Sequence, residues 1–316
     1  MIETLHTLSR PYNGDPSADR DKFIGGSDAG TILGLNPYKS AYTLWLEKTG
    51  QIEVPDISDQ EQVWWGNYDE EGVAQRFTIK SGIKVHRSNQ TFYLKEYPFI
   101  AAHVDRLVVG DHSGLECKTT SAWNKTEFDE GDIPPYHYAQ CQHYMLVYGA
   151  SHWYYAVKRN NNQFYFMDIQ RDDDFIAKLL AAEIAFWKCI QDRVPPTVDG
   201  SESTSNAINR RYADGKDTSI AISDDIMDKL NDISQCDDMI AEYTKLRNEK
   251  VNAVKLWMGT NERAEGKGYI LNWKAPKPSM TIDTKALKKN MPEVYEKYAK
   301  PKAVSRRFTY KVINDE

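Results

Sequence analysis

Two carboxylates and a lysine lie close together in the predicted secondary structure, at Asp105 and in the run Glu116-Cys117-Lys118. The run follows a turn-forming segment, 110–114, so the two regions are predicted to be neighbouring strands. Alternate side chains of a strand share a face. Glu116 and Lys118 therefore point the same way, and Asp105 can reach them. Two carboxylates beside an ammonium group suit a hard cation held by oxygen atoms, with the lysine orienting a water molecule. Alone, the pattern more often belongs to solvent-facing strand positions.

Two helices are predicted to bring further polar groups to this region. Glu70 lies on the apolar stripe of a helix over about 60–81, where a carboxylate is costly unless it is paired or bound to a cation. A salt bridge to Arg106 is the alternative interpretation of this residue. Gln140 lies on the apolar stripe of a second helix, over 134–149. Its alternative role is that of an amide that caps a buried carbonyl group.

The elements that position these residues alternate between helices and strands through the first two thirds of the chain. Helix starts at 26–28 and 40–42 precede the helix over 60–81. The predicted strands and the last helix cover 91–94, 99–109, 115–120, a hairpin of 151–159 with 163–171, and 172 to about 192. This order predicts an α/β core.

The composition of the chain changes near residue 199. Residues 1–198 are predicted to form the core, and the Gly-, Ser- and Asn-rich range 199–222 reads as a linker. The range 223–316 is predicted to be an extension that begins with a long amphipathic helix over 224–260, whose isoleucines at multiples of seven indicate a packing face. Beyond that helix, short strands at 268–273 and 306–312 flank a lysine-rich helix around 284–299.

Length and composition exclude several classes of protein. The 316 residues are 41% hydrophobic and 27% charged, an ordinary globular composition. No apolar run approaches the length of a membrane span, and the first residues lack a basic and apolar leader, so a cytoplasmic location is expected. The four cysteines lie far apart, which argues against a disulfide scaffold or a zinc ribbon.

The charge is divided unevenly along the chain. The net charge is −6, with 19 basic and 28 acidic residues in 1–200 but 21 and 18 in 201–316. The segment 263–311 contains 13 basic residues and only four acidic ones. This segment indicates a polyanion partner or, equally, a solvated lysine-rich surface. Its interleaved aromatic residues are Tyr269, Trp273, Tyr295, Tyr298, Phe308 and Tyr310.

Taken together, these motifs identify a family resemblance. The sequence resembles the YqaJ-type viral recombinase nucleases, relatives of phage lambda exonuclease within the PD-(D/E)xK group. The resemblance covers about 20–192, and the tail over 224–312 is similar to the C-terminal extension of the YqaJ branch. The matching pieces are Ile24-Gly25-Gly26-Ser27-Asp28, Trp65-Gly66 ahead of Glu70, Ala102-His103-Val104-Asp105, Leu115-Glu116-Cys117-Lys118 and Tyr138-Ala139-Gln140-Cys141-Gln142.

The resemblance implies a fold and a set of catalytic residues. The fold would be a restriction-endonuclease-like core, with a central mixed β-sheet flanked by helices, plus a long C-terminal helix and a small basic α+β extension. Asp105 and Glu116 would bind the metal ion with the backbone carbonyl of Cys117, and Lys118 would position the attacking water. The implied catalytic residues are Glu70, Asp105, Glu116, Lys118 and Gln140.

A site for the terminal 5′ phosphate is also implied by the resemblance. Arg20 precedes Ser27 by seven residues, the family's separation between an arginine and a serine that contact this phosphate. A plain helix cap is the alternative for Ser27. His103 stands where lambda exonuclease has a serine near the phosphate, and a core or strand-face histidine is the preferred interpretation. Val104 replaces the proline of the group's Pro-Asp pair.

The implied activity is a Mg²⁺-dependent 5′-to-3′ exonuclease on double-stranded DNA ends, with Mn²⁺ as a substitute ion. It would leave 3′ single strands for a phage-type annealing protein. The implied assembly is a homo-oligomer, with a ring-shaped trimer as one form. An iron–sulfur cluster is not expected, because Cys189 and Cys236 are isolated. A non-catalytic DNA-end-binding or scaffold component is the alternative function. For the basic tail, DNA contact is preferred over docking of a protein partner.

Overall fold

The protein is described by a computed structural model that covers residues 5–11, 21–54, 56–120, 132–160, 162–300 and 306–311. The chain divides into two compact units. The first unit contains residues 1–213 with 310–316, and the second contains residues 214–309.

The first unit alternates helices and strands, as the sequence predicts, but the predicted strand over 99–109 is divided into two strands that belong to different sheets. The strands Thr7–Pro11 and Val85–Arg87 and the helix Glu202–Arg211 were not predicted. The helices of this unit are α1 (Gly26–Ile32), α2 (Ala41–Lys48), α3 (Glu61–Ser81), α4 (Pro135–Tyr148), α5 (Asp173–Asp192) and α6 (Glu202–Arg211). Its strands are β1 (Thr7–Pro11), β2 (Val85–Arg87), β3 (Gln90–Leu94), β4 (Ala101–His103), β5 (Arg106–Val108), β6 (Gly114–Thr120), β7 (His152–Arg159) and β8 (Gln163–Gln170).

A five-stranded sheet in the order β2-β5-β6-β7-β8 forms the centre of this unit. Strands β6 and β7 are parallel and the other neighbours are antiparallel, so the sheet is mixed. A parallel pair needs a crossover connection, and α4 lies in the segment between β6 and β7. A second, antiparallel sheet has the order β1-β3-β4. The predicted fold class, α/β with a central mixed sheet flanked by helices, is confirmed.

The two faces of β6 meet different helices. Leu115 and Cys117 pack against Val73 and Phe77 of α3. The alternate residues therefore face the other side of the sheet. There Glu116 meets Gln140 of α4. One helix thus buries the apolar face of the strand, and the other approaches its polar face.

Glycines end the two helices at the predicted places. Gly82 follows α3 with a φ of 77°, and Gly149 follows α4 with a φ of 81°. Both angles lie in the left-handed region that glycine adopts without strain. Each glycine N–H donates to a carbonyl of the last turn. The ends of both helices agree with the sequence prediction.

Part of the range predicted as a linker, 199–222, is helical. Helix α6 begins after Ser201, whose hydroxyl accepts the N–H of Thr204 at 3.2 Å. The buried Thr204 hydroxyl donates to Ser40 at the start of α2, at 2.8 Å. Serine and threonine here form helix caps and buried hydrogen bonds, although their composition is typical of a linker. Residues 199–213 therefore belong to the first unit.

The second unit begins with a helix of 35 residues and continues with short elements. Its elements are α7 (Asp224–Met258), β9 (Arg263–Gly266), β10 (Tyr269–Asn272), α8 (Thr284–Asn290) and α9 (Pro292–Tyr298). The long C-terminal helix is confirmed, and its apolar stripe is exposed at Ile226, Ile240 and Val254.

The rest of the tail differs from the sequence prediction in two places. The predicted lysine-rich helix over 284–299 is broken before Pro292, because proline lacks an N–H and starts a new helix at its first position. The described part of the predicted strand over 306–312 has no strand structure. None of the described helices is long and apolar enough to cross a membrane.

A buried ion pair ties α4 to its neighbours. His143 Nδ1 lies 2.7 Å from Glu183 Oε1 of α5, and Nε2 lies 3.0 Å from the Ala101 carbonyl oxygen of β4. Both ring nitrogens face acceptors, so both donate and the ring is an imidazolium. Burial lowers the pKa of His143. The charge of Glu183 and its hydrogen bond outweigh that effect, and the pKa is raised above its ordinary value.

We expect Glu183→Gln to lower the free energy of unfolding by about 3–5 kcal/mol, because it leaves the buried histidine without its counter-charge. The stability that the raised His143 pKa contributes is fully present below the unfolded pKa of about 6.5 and is lost as the pH rises through the folded pKa. Urea unfolding between about pH 6 and pH 9 should show this loss in the parent and not in Glu183→Gln.

The matched control is the exposed pair of His6 and Glu96, whose atoms are 2.7 Å apart. Glu96→Gln should leave the free energy of unfolding nearly unchanged, because solvent screens an exposed pair. Equal effects of the two substitutions would contradict the buried ion pair.

Candidate functional site

Three of the predicted site residues meet at one end of the central sheet. Glu116 and Lys118 lie on β6, and Asp105 lies in the short connection between β4 and β5. The Cys117 N–H donates to Asp105 Oδ2 at 2.9 Å, which fixes the aspartate beside the strand. The predicted neighbourhood of these carboxylates is thus present in the fold.

The Glu116 carboxylate is buried and is bonded unevenly. Lys118 Nζ lies 2.5 Å from Oε1, and Gln140 Nε2 donates to the same oxygen at 2.8 Å. Gln140 Nε2 also donates to the Tyr144 hydroxyl oxygen at 2.7 Å. The second oxygen, Oε2, is buried and has no hydrogen-bond partner among the described residues. A buried carboxylate oxygen without a donor is costly, and a bound cation would remove that cost.

The charges of this cluster act on one another. Burial raises the pKa of Asp105 well above its ordinary value, and the nearby Glu116 raises it further, whereas Lys118 opposes the shift. Burial lowers the pKa of Lys118, but Glu116 and Asp105 outweigh it and the net shift is upward. Burial, with Asp105 and Glu116, raises the pKa of the Cys117 thiol, which therefore stays protonated. At neutral pH the site holds an ammonium group in contact with Glu116 and under the electrostatic influence of Asp105.

Two carboxylates, with one oxygen free of hydrogen bonds, fit a small hard cation. Magnesium commonly takes only one or two protein carboxylates and completes its coordination with water and substrate phosphate. Within the part of the chain that the structure describes, no group of three or more His, Cys, Asp or Glu side chains is arranged for a metal ion. Asp105 and Glu116 are thus suited to a site completed by water and substrate.

Glu70 forms the salt bridge to Arg106 that was the alternative interpretation of this residue. Its Oε1 lies 2.5 Å from Arg106 Nη1 and 3.8 Å from Arg87 Nη2. Arg106 is buried and also donates to Glu71 at 3.0 Å. Glu70 nevertheless raises the pKa of Asp105 by its charge, so it lies near the cluster without a hydrogen bond to it. The residue borders the site through an arginine.

Sequence reasoning missed His137, which lies one turn before Gln140 on α4. Its Nδ1 lies 2.8 Å from the hydroxyl oxygen of Tyr155 on β7. Burial lowers the pKa of His137 well below its ordinary value, and the charge of Lys118 lowers it further, so the ring is neutral. His137 lies three residues before Gln140 and Tyr144 lies four residues after it, so the three side chains share one face of the helix. That spacing was the available signal.

The structure describes two of the three residues discussed for the 5′ phosphate. Arg20 lies outside the described residues. Ser27 is exposed in the first turn of α1, and the cap position is taken by Gly25, whose N–H donates to Asp28 Oδ2 at 3.0 Å. Ser27 is therefore not the helix cap. His103 Nε2 lies 2.6 Å from the Thr91 hydroxyl oxygen across the β3–β4 pair, the position of a strand-face histidine.

The basic tail places lysines over aromatic rings. Lys288 lies 5.4 Å from the ring centre of Tyr295, and Lys297 lies 5.6 Å from that of Tyr298. Tyr298 and Phe308 are largely exposed. Such cation–π pairs contribute little to stability at exposed sites. Most of this cationic and aromatic surface is in contact with solvent.

We expect Asp105→Asn to raise the melting temperature of the protein in EDTA by about 2–4 °C, equivalent to about 1 kcal/mol for a chain of this size. The amide still accepts the Cys117 N–H, while the charge beside Glu116 is removed. Since the pKa of Asp105 is raised, the parent loses stability as the pH rises through that pKa, and the difference should widen. Calorimetry at several pH values measures it.

Asp111→Asn is the control. Asp111 accepts a hydrogen bond from Ser113, which is the main reason that its pKa is lowered. Its substitution should not raise the melting temperature. A lower melting temperature for Asp105→Asn at every pH would contradict the described electrostatics.

Comparisons with known proteins give a family match and a relative that aligns with most of the chain. A model of the YqaJ-like viral recombinase domain matches residues 17–151. The YqaJ protein of Bacillus subtilis (strain 168) is 38% identical over 303 residues, which cover 94% of this chain and 93% of that protein.

Two solved exonuclease structures are similar to part of the chain. An alkaline exonuclease from Laribacter hongkongensis is 18% identical with a TM-score of 0.45, over 56% of this chain and 92% of that one. A phage related exonuclease from Haemophilus somnus 129PT is 14% identical with a TM-score of 0.43, over 54% and 96%. The high coverage and identity of the Bacillus relative show that the chain belongs to the YqaJ-like viral recombinase family.

Proposed function

We propose that the protein is a Mg²⁺-dependent deoxyribonuclease that degrades linear double-stranded DNA from its ends. The observation that carries the proposal is the free oxygen of the buried Glu116 carboxylate, beside Asp105 and Lys118. Glu183 also has a buried oxygen without a partner among the described residues. What distinguishes Glu116 is the neighbouring buried carboxyl group of Asp105, because two such carboxyl groups are suited to a shared cation. Membership of the YqaJ-like viral recombinase family supports the same class of reaction.

Each residue of the cluster has a separate part in this proposal. Asp105 and Glu116, with the Cys117 carbonyl, would hold the cation, which polarises the phosphodiester, activates water and neutralises the leaving oxygen. Lys118 holds an ammonium group at the Glu116 carboxylate, where it orients the attacking water. Gln140 fixes Glu116 by donating to Oε1, and its own position is set by Tyr144.

Glu70 completes the proposed site from α3. In the described arrangement its carboxylate is held by Arg106, and its charge already acts on Asp105. Arg106 pairs with both Glu70 and Glu71. It can remain paired with Glu71 while Glu70 turns toward a cation. Glu70 is therefore proposed as the member that joins when the cation and the DNA are bound.

The direction of digestion and the partners are proposed by analogy with the family. Digestion from 5′ to 3′ would leave a 3′ single strand, which a single-strand annealing protein would use in phage-type recombination. A homo-oligomer, such as a ring-shaped trimer, would keep the enzyme on its DNA. A non-catalytic DNA-end-binding component is the alternative, and the nuclease assay below separates the two.

We expect Asp105→Ala and Glu116→Ala each to reduce cleavage of end-labelled linear duplex by at least about a thousandfold, because each removes a charge that holds the cation. Mg²⁺ and Mn²⁺ should support cleavage by the parent, Ca²⁺ should allow DNA binding without cleavage, and EDTA should stop the reaction. The control is Asp111→Ala, a carboxylate outside the cluster. Undiminished cleavage by either variant, or by the parent in EDTA, would refute the metal site.

The 5′ phosphate is tested by Arg20→Ala and Ser27→Ala. A guanidinium group binds phosphate through two parallel hydrogen bonds, so its loss should remove most of the preference for phosphorylated over hydroxyl 5′ ends. The ratio of the two cleavage rates is the measurement, and Arg10→Ala is a matched control on β1. A ratio that stays at the parent value in Arg20→Ala would show that the phosphate is bound elsewhere.

A further inference from the structure

Helix α3 carries an exposed ridge with an unusual order of side chains. Its members are Trp64, Tyr68, Gly72, Arg76 and Lys80, each four residues from the next and each exposed. Residues at i, i+4 form a continuous ridge on a helix surface. We call this set the α3 ridge. It has two aromatic rings at one end, two cations at the other and a glycine between them.

The aromatic end is held in a fixed arrangement. The rings of Trp64 and Tyr68 are stacked, with centres 5.1 Å apart and planes at 10°. Trp65 meets both rings edge-on, and its Nε1 donates to Glu61 at 2.8 Å. Trp64 remains 49% exposed and Tyr68 66% exposed. A flat aromatic face that is already ordered and open to solvent is suited to stacking on a nucleobase.

The basic end lines a cleft of about 330 Å³. Arg76 and Lys80 of the ridge form one wall, and Lys158 and Phe164 come from β7 and β8. No acidic side chain of the described residues lies within ion-pair distance of Arg76 or Lys80. Gly72 lies between the two ends and leaves open space where a side chain would stand. Uncompensated cations beside open space are suited to phosphate groups.

The ridge begins beside the candidate site. A Cβ atom on Gly66 would lie 3.7 Å from the hydroxyl oxygen of Thr119, the residue after Lys118 on β6. Asp69 pairs with Lys158 of β7 at 2.6 Å and holds this turn of α3 against the sheet. Trp64 and Glu70 are six residues apart, so they are separated by about 9 Å along the helix axis. The aromatic end is therefore within a few nucleotides of the proposed point of cleavage.

We propose that the α3 ridge binds unpaired single-stranded DNA. Bases stack on Trp64 and Tyr68, and the backbone runs past Gly72 to phosphate contacts with Arg76 and Lys80. The ridge is about 24 Å long, which accommodates the four or more nucleotides typical of single-strand sites. A protein partner with an apolar surface would leave Arg76 and Lys80 without counter-charges, whereas a nucleic-acid strand matches both ends. The assignment of the α3 ridge depends on the proposed nuclease function in one respect, which is that the substrate is DNA.

The test measures binding of a labelled oligothymidylate of about ten nucleotides to the full chain in EDTA, by fluorescence anisotropy. A second probe has the same length and charge but lacks its bases. The parent should bind the base-containing probe more tightly. Trp64→Ala with Tyr68→Ala should weaken that binding by tenfold or more and leave the abasic probe unchanged, because stacking is worth about 1–3 kcal/mol per base.

Arg76→Ala with Lys80→Ala should weaken both probes equally. It should also reduce the slope of log affinity against log salt by about 0.7 for each lost phosphate contact. The matched controls are Lys178→Ala with Lys188→Ala on α5 for charge, and Ile79→Ala on α3 for exposed apolar area. Melting temperatures of all variants verify their folding.

Parent-like binding by the aromatic variant, or an equal loss on both probes, would overturn the proposal. So would a loss of binding in the controls that matches the loss in the ridge variants. A protein that binds the probe through the ridge and does not cut duplex DNA in Mg²⁺ would refute the proposed nuclease and retain the ridge. The two failures are therefore distinguishable.

Discussion

Glu116 brings a carboxylate into the interior of the protein, where it is stable only if donors and opposite charges compensate for its lost hydration. Lys118 and Gln140 supply that compensation at one oxygen, and the other oxygen has no hydrogen-bond partner in the described part of the chain. The lysine comes from the same strand and the glutamine from a helix on the polar face of the sheet. Both β6 and α4 must therefore be placed accurately for this single group to be tolerated.

The placement of α4 follows from the parallel pairing of β6 with β7. A parallel pair requires a crossover, and the segment that makes it carries Gln140, His137 and Tyr144 along one helix face. The same helix is fixed behind the site by the buried pair of His143 and Glu183. Fold and site thus share one helix, because the connection that the sheet requires also supplies the groups that surround Glu116.

Helix α3 packs on the opposite, apolar face of the sheet and extends beyond the site. Its buried side packs on β6 through Val73 and Phe77, and the ends of its exposed ridge carry aromatic rings and cations. The charge of the first 200 residues is negative as a whole, so attraction of a polyanion depends on local groups such as Arg76 and Lys80. The basic tail offers a second cationic surface in the other unit.

The sequence by itself determined most helices and strands of the first unit and the spacing of the carboxylates, because helical and strand periodicity and glycine stops are local properties. It also determined that Asp105 and Glu116 would be neighbours, since one short turn at 110–114 separates the segments that carry them. The tertiary structure decided that Glu70 pairs with Arg106, that His137 lies beside the cluster and that α6 packs within a range of linker-like composition. Those outcomes depend on contacts between segments far apart in the chain, and local patterns contain no information on which of several possible partners packing brings within hydrogen-bond distance.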